Sequence, residues 1–194
     1  MKYEDFWKTQ GLKYITPKDL KNPEGFSVGD ILKTLIPAEH TVLEIGCGTG
    51  RLCQIFRDDK YIGIDINPSA IHEASAKNPG YNFAVIKLGQ YLMPPRDSVL
   101  LYTVCLHIPN EILRDQLKII CSSSKKSVII AEIMNPKYRS NRVEGAEYDI
   151  SNQRSATDYI DLMGQLGFDL ETEMKIPYAY YKGEDITFLK FTRR

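Results

Sequence analysis

A strand followed at once by three alternating glycines constrains this chain more than any other stretch of its sequence. The apolar run 42–45 has strand character and leads directly into Gly46, Gly48 and Gly50. Glycines in such a turn let the backbone approach a ligand with no Cβ in the way, and helix-compatible residues 51–56 follow. The pattern predicts a strand, a glycine turn and a helix, with backbone N–H groups and a helix N-terminus facing a ligand.

A second strand adds to this constraint. The apolar residues 61–64 end in Asp65, which comes fifteen residues after Gly50. An acid at the tip of the second strand is where a ribose diol is held by paired hydrogen bonds. The two features together predict a cofactor that contains adenosine.

The glycine spacing indicates which cofactor. Dinucleotide-binding turns read G-x-G-x-x-G, and the third glycine lets a helix pack beside a pyrophosphate. Here the spacing is G-x-G-x-G, and Glu44 stands two residues before the first glycine. A carboxylate at that point repels a pyrophosphate but suits a ligand that carries an ammonium and a sulfonium. The block from Val42 to Gly50, with Asp65 after it, resembles the motif of class I S-adenosylmethionine-dependent methyltransferases of the small-molecule type.

The resemblance implies both a fold and an activity. The fold is a Rossmann-like α/β fold: an open seven-stranded sheet, mostly parallel with a C-terminal antiparallel hairpin, and helices on both faces. The activity is transfer of a methyl group from S-adenosylmethionine, which leaves S-adenosylhomocysteine. The cofactor contacts that it implies are Tyr14, Glu44, Gly46, Cys47, Gly48, Gly50, Asp65, Ile66, Gln90, Tyr91 and Thr103. Gln90 stands where the family usually has an acid, so it would accept from the adenine amino group without a charge.

Hydrophobic periodicity and turn residues predict the other elements. Four further helices are expected at 28–36 after Ser27, through 70–76 after Pro68, from Pro109 through 120, and through 159–166 after Ser155 or Thr157. Strands are expected at 81–86, 98–103, 127–133, 168–177 and 186–191.

The chain length of 194 residues predicts one methyltransferase domain, residues 1–194. Residues 1–25 are expected to act as an N-terminal lid over the cofactor, or else to pack as a plain N-terminal helix. Residues 134–154 show no periodicity, and loops of that length in compact domains are usually functional or disordered. We expect this loop to be a substrate lid.

Composition excludes several kinds of partner. Lysine plus arginine and aspartate plus glutamate number 25 each, and this balance argues against a protein that binds nucleic acid. No apolar run approaches membrane-spanning length, residues 1–5 lack the apolar core of a signal peptide, and the four cysteines form no C-x-x-C pair. A cytoplasmic protein with reduced cysteines is therefore expected. The three histidines have no ligand spacing, so no metal site is predicted.

The candidate catalytic residue is His107. It follows the fourth strand, at a place where small-molecule methyltransferases often have a histidine before a proline, and a hydroxyl acceptor gains from a general base. The alternative is a structural histidine. Glu132 and Tyr148 are reserve candidates for the base. Arg139, Arg142 and Arg154 are either solvated or hold an anionic group of the acceptor, and the sequence does not choose.

The leading acceptor is a small hydroxylated molecule. The aromatic residues Tyr178, Tyr180 and Tyr181 suit a sugar or a secondary metabolite, and residues 103–106 lack the motif of adenine-amino methyltransferases. Two alternatives stay open. One is an N-methyltransferase or a modifier of RNA or protein, and the other is a non-catalytic module that binds S-adenosylmethionine. The oligomeric state is not predicted.

Overall fold

In the computed structural model the described residues are 3–9, 11, 25, 27–89, 95–136, 152–178 and 183–194. Within them, seven strands form one sheet: β1 (Val42–Ile45), β2 (Tyr61–Asp65), β3 (Asn82–Val85), β4 (Arg96–Tyr102), β5 (Ser124–Glu132), β6 (Phe168–Pro177) and β7 (Asp185–Arg193). The same residues form the α-helices α1 (Tyr3–Thr9), α2 (Val28–Leu35), α3 (Pro68–Lys77), α4 (Asn110–Ser122) and α5 (Ala156–Gln165).

The strand order across the sheet is β3-β2-β1-β4-β5-β7-β6. Strands β1 to β5 run parallel to one another, whereas β7 pairs antiparallel with both β5 and β6. The predicted open sheet, mostly parallel with a C-terminal antiparallel hairpin, is therefore confirmed. The chain leaves β1 toward β2 on one side and reaches β4 on the other, so the winding direction reverses between β1 and β4.

Both faces of the sheet are covered because alternate strand residues point to opposite sides. Leu43 and Ile45 pack in one cluster with apolar residues of α4 and α5. Val42 packs in the other cluster, with the apolar stripe of α2. Each fully buried aliphatic side chain contributes about 1.5–3 kcal/mol, so the two clusters fix the central strands firmly.

Local capping explains where the helices begin. The Ser27 side chain accepts from the Asp30 N–H at 3.4 Å, and Asn67 accepts from the N–H groups of Ser69 and Ala70 at 2.9 and 3.1 Å. Ser155 caps α5 in a reciprocal capping box with Asp158, which confirms the first of its two predicted caps.

Two boundary predictions are wrong. Pro109 is the N-cap of α4 and not its first helical residue. No α-helix follows the glycine turn: the expected helix at 51–56 is replaced by two single 3₁₀ turns, Cys53–Ile55 and Asp58–Lys60. A parallel crossover needs a dozen or more residues, and the connection 46–60 spends its first residues on the glycine turn. Too few remain for a regular helix that also packs back on the sheet.

Candidate functional site

The site is a crevice at the carboxyl ends of β1 and β4. Ligands of open α/β sheets bind outside the carboxyl ends of the strands, at the point where the winding reverses. In this chain that point lies between the glycine turn after Ile45 and the residues after Tyr102. Four features line it: the turn itself, Asp65 at the tip of β2, Thr103 at the end of β4, and the 3₁₀ turn Cys105–His107.

The three glycines of the turn all adopt positive φ. The angles are +70° at Gly46, +55° at Gly48 and +77° at Gly50, a region that other residues rarely occupy. At Gly46 space is also limiting, because a Cβ there would lie 2.5 Å from Cγ2 of Val104. The loop after β4 therefore packs directly on the turn after β1, and only glycine permits this approach.

Most amides of the turn are already hydrogen-bonded within the protein. The N–H groups of Gly46 and Cys47 both donate to the Ile64 carbonyl, at 2.8 and 3.0 Å. Gly48 N donates to Asp65 Oδ2 at 2.9 Å, and Gly50 N donates to the Cys47 carbonyl at 3.0 Å. The expectation that these amides and a helix N-terminus face a ligand is therefore wrong at these four positions. The arrangement offers little to a pyrophosphate.

Asp65 joins the two predicted halves of the site. Its Oδ2 accepts from Gly48 N, while its Oδ1 accepts from Asn67 N at 2.8 Å. Burial raises the pKa of the Asp65 carboxyl, and these backbone donors counteract part of that effect. A carboxylate has about four acceptor positions, so each oxygen keeps capacity for a further donor. The adjacent Ile66 is partly exposed at the same strand end.

Glu44 lies inside the protein and not on the crevice surface. Only 2% of it is exposed, and its Oε2 accepts from the Tyr61 hydroxyl at 2.5 Å. Burial raises its pKa to about 7, although the hydrogen bond from Tyr61 and the charge of Arg51 act in the opposite direction. Its neighbour across the sheet is Gly63, where a Cβ would lie 2.8 Å from the Tyr61 hydroxyl oxygen. The missing side chain at Gly63 makes room for the Tyr61–Glu44 pair.

The cysteines are not reactive groups of this site. Cys47, Cys53, Cys105 and Cys121 are free and buried. Burial raises the pKa of each thiol, to about 11 for Cys53 and about 12 for Cys121. Because its side chain points inward, Cys47 can meet a ligand only through its backbone. Thiolates are the nucleophilic and metal-binding form of cysteine, so these side chains act as small apolar fillers.

Thr103 closes the crevice on the β4 side in a strained conformation. Its φ of +56° makes it the one residue other than glycine with positive φ in the described chain. Such angles are rare for β-branched residues and occur often at functional sites. The Thr103 N–H donates to the Ala131 carbonyl at 2.8 Å, and its hydroxyl accepts from Arg51 Nη2 at 3.1 Å. Sequence reasoning assigned no role to Arg51.

His107 lies beside the N-terminal helix. Its ring centre is 4.2 Å from that of Trp7, with the planes tilted by 48°. The same helix is fixed at its other contacts: the Trp7 carbonyl accepts from Asn67 Nδ2 at 2.9 Å, and Glu4 pairs with Lys87 at 2.6 Å. Helix α1 therefore crosses the carboxyl edge of the sheet from β3 to the turn after β4. The lid role of residues 1–25 stays a prediction.

Glu132, a reserve candidate for the base, supports the loop after β4 from beneath. It is fully buried, and its Oε1 accepts from Val104 N at 2.8 Å and Cys105 N at 2.6 Å. Burial raises the pKa of Glu132 to about 8. Since it has no exposed surface, it acts on the loop and not directly on an acceptor.

Arg154 is neither solvated nor exposed to an acceptor. It is 5% exposed, and its guanidinium donates to the carbonyls of Cys105 and Ile108 at 2.7 and 2.6 Å and to Asn110 Oδ1. Both alternatives expected for this residue are therefore wrong. The side chain binds the loop after β4 to the start of α5.

Several predicted residues lie outside the described part of the chain. They are Tyr14, Gln90, Tyr91, Arg139, Arg142, Tyr148, Tyr180 and Tyr181. Of the expected substrate lid 134–154, residues 134–136 and 152–154 are described. Tyr178 is described, and it packs against the cluster that contains α2. The described residues contain no group of three or more His, Cys, Asp or Glu side chains placed to hold a metal ion, and no helix among them could cross a membrane.

Comparison with known proteins supports one class. Residues 43–122 match a family described as a methyltransferase domain. Comparison with curated protein sequences gives no match.

Solved structures share the fold. The magnesium protoporphyrin IX methyltransferase from Synechocystis PCC 6803 with bound SAM has a TM-score of 0.72 at 18% identity, covering 100% of this chain and 98% of that one. A putative S-adenosylmethionine-dependent methyltransferase from Listeria monocytogenes scores 0.64 at 18% identity, covering 85% and 97%. The 1,6-didemethyltoxoflavin-N1-methyltransferase from Burkholderia thailandensis scores 0.64 at 14% identity, covering 85% and 76%. The match over residues 43–122 and the shared fold both agree with the glycine motif, which predicted a class I S-adenosylmethionine-dependent methyltransferase.

Proposed function

We propose that this protein transfers the methyl group of S-adenosylmethionine to a hydroxyl of a small acceptor, such as a sugar or secondary metabolite. The observation that carries the proposal is the hydrogen bond between Asp65 and Gly48 N. It joins the acid at the tip of β2 to the glycine turn after β1, where the sheet reverses its winding. The neighbour from Synechocystis has SAM bound, which supports the choice of cofactor.

The cofactor would lie along this crevice. Asp65 would hold the ribose, with Ile66 beside it, and the backbone of Gly46, Cys47 and Gly48 would face the methionine end, opposite Thr103. Gly50 would keep the turn closed behind the ligand, because a Cβ there would meet Phe83 at 2.9 Å. Glu44 would contribute through its negative field and not by direct contact. The roles of Tyr14, Gln90 and Tyr91 stay predictions.

Methyl transfer from a sulfonium is an in-line displacement in which the positive charge on sulfur disappears. Positioning the two reactants can supply roughly 7–11 kcal/mol of the barrier. A general base adds roughly 10²–10⁴-fold in rate. Positioning is the larger effect, so the site needs well-fixed walls more than it needs a catalytic dyad. His107 would act as the base for a hydroxyl acceptor, with α1 and residues 134–154 enclosing the acceptor from above.

An N-methyltransferase is the second candidate. The neighbour from Burkholderia thailandensis is by its name an N1-methyltransferase, and it shares the fold. A substrate of nucleic acid is disfavoured by the zero net charge of the chain, since phosphate backbones are bound by an excess of lysine and arginine. The cytoplasmic location expected from the sequence stays a prediction.

Two measurements in sequence test the proposal. Isothermal titration calorimetry with S-adenosylmethionine and S-adenosylhomocysteine establishes cofactor binding. Release of S-adenosylhomocysteine is then followed on a panel of hydroxyl and amine acceptors. Turnover on hydroxyl acceptors supports the proposal, whereas turnover confined to amines favours the second candidate. Cofactor binding without turnover on any acceptor would favour the non-catalytic module.

The role of His107 gives a specific prediction. In a His107→Ala variant, turnover should fall by at least about a hundredfold, since a base contributes roughly 10²–10⁴-fold. Affinity for S-adenosylmethionine should stay unchanged, because the His107 side chain is not among the proposed cofactor contacts. The matched control is His72→Ala, whose side chain is exposed on α3. Equal turnover in both variants would remove His107 from the base role.

A further inference from the structure

Arg51 places a positive charge across the crevice. It is the first residue after the glycine turn, and its Nη2 donates to the Thr103 hydroxyl at 3.1 Å on the opposite side. Its guanidinium carbon also lies 4.7 Å from the centre of the Tyr102 ring. The side chain thus spans the reversal point of the sheet, from the end of β1 to the end of β4.

This charge forms no ion pair among the described residues, although it acts to lower the pKa of the buried Glu44 carboxyl. No carboxylate in that part of the chain approaches the Arg51 guanidinium within the 4.0 Å that defines an ion pair. The bond to Thr103 uses one of its five N–H donors. The residue is only partly exposed, and charged groups taken out of water are normally paired. The nearby Glu44 carboxyl is held by Tyr61 instead.

We propose that Arg51 binds the α-carboxylate of S-adenosylmethionine; this inference rests on the proposed function. The methionine end of that cofactor carries two cationic groups and one carboxylate. The two acids nearby, the buried Glu44 and Asp65 at the tip of β2, suit the cations and repel the carboxylate. Arg51 supplies the complementary charge, and its planar fork matches a carboxylate with two parallel hydrogen bonds. The ring of Tyr102 and the hydroxyl of Thr103 hold the fork in place.

The test compares two ligands that differ only in this group. Calorimetry gives the affinities of S-adenosylmethionine and of decarboxylated S-adenosylmethionine for the wild-type protein and for an Arg51→Gln variant. The wild type should prefer the complete cofactor roughly ten- to a hundredfold, because hydrogen bonds to charged groups contribute that much. In the variant this preference should disappear, with the affinity for the complete cofactor falling to that of the decarboxylated form.

Two further variants complete the experiment. Arg57→Gln removes the same charge from an exposed position in the same connection, where the side chain is 67% exposed, and should keep the wild-type preference. Arg51→Lys retains a positive charge and should keep part of it. If Arg51→Gln weakens both ligands equally, or keeps the preference, the inference is wrong while the proposed function stands. If the wild-type protein binds neither ligand, the inference and the proposed function fail together.

Discussion

The contact between Gly46 and Val104 shows how one missing side chain determines the geometry of the crevice. The two residues belong to different loops, and a methyl group between them would force apart the ends of β1 and β4. Because the conformation of Gly46 is also left-handed, this position is constrained twice. The width of the crevice therefore depends on Gly46, which contributes only backbone atoms to its walls.

A Gly46→Ala variant should lose about 2–4 kcal/mol of stability, from the strained φ together with the overpacking of Val104. Urea denaturation measures the loss. Gly167→Ala is the matched control, since Gly167 has a φ of +83° but open space where a Cβ would lie. The Gly167→Ala variant should lose only the part of the stability that comes from the strained φ. Adding Val104→Ala to Gly46→Ala should recover stability relative to the sum of the two single changes; strict additivity would contradict the packing argument.

Glu132 makes folding stability depend on pH in a direction opposite to that of most acids. Its ordinary pKa is 4.5 and burial raises it to about 8 in the folded protein. Between these values the folded state holds a proton that the unfolded chain has released. The free energy of unfolding therefore falls as pH rises through this window and levels off above it.

A Glu132→Gln variant isolates this effect, because its amide oxygen can still accept from Val104 and Cys105 while no charge forms. The difference in unfolding free energy between wild type and variant should shift in favour of the variant from about pH 5 to about pH 8, and then become constant. Urea denaturation at each pH gives the two curves. Curves that stay parallel throughout the window would show that the carboxyl does not titrate there.

At the scale of elements, prediction from sequence succeeded where the signal is local. Ser27 and Ser155 cap their helices because a side-chain oxygen reaches an amide three residues away. The glycine turn and the position of Asp65 at the tip of β2 were predicted from residue spacing alone. The prediction failed where distant elements decide. The connection 46–60 has too few residues for a helix, which depends on the span between β1 and β2.

The roles of Arg154 and Glu132 could not be predicted from the local sequence either. Arg154 is 49 residues from Cys105 along the chain, and Glu132 is 27 residues from it. Both support the loop after β4, Glu132 from the end of β5 and Arg154 from just before α5. No spacing rule reports such contacts, because they form only when β5 and α5 have packed beside β4. The Glu44–Tyr61 hydrogen bond was easier to predict from the sequence, since Glu44 pairs across the sheet with Gly63, which has no side chain.

An Arg154→Met variant should lose about 2–5 kcal/mol of stability, because the buried Ile108 carbonyl loses its Arg154 donor and the Cys105 carbonyl keeps only the Ile108 N–H. Denaturation with urea measures the loss. The control is Arg57→Met, at an exposed ion pair, which should stay within about 0.5 kcal/mol of wild type. Equal losses in the two variants would mean that Arg154 does not hold the loop.

At the scale of the whole molecule, the N-terminal helix and the C-terminal hairpin meet the same edge of the sheet. Helix α1 contacts the chain after β2, β3 and β4. The hairpin of β6 and β7 reaches the residue pair after β5, where Asn135 donates to the Glu184 carboxylate at 3.0 Å. The N-terminal helix and the C-terminal hairpin therefore lie on two sides of the crevice, while its floor comes from residues 46–107.

The position of Trp7 against His107 gives this protein an internal spectroscopic label. The chain has one tryptophan, so its intrinsic indole fluorescence reports from the mouth of the crevice alone. Saturation with S-adenosylhomocysteine should move the emission to shorter wavelength, because the ligand displaces water near the ring. A Trp7→Phe variant should lose this signal and keep its calorimetric affinity, and unchanged emission at saturation would mean that the indole and the ligand never share a boundary.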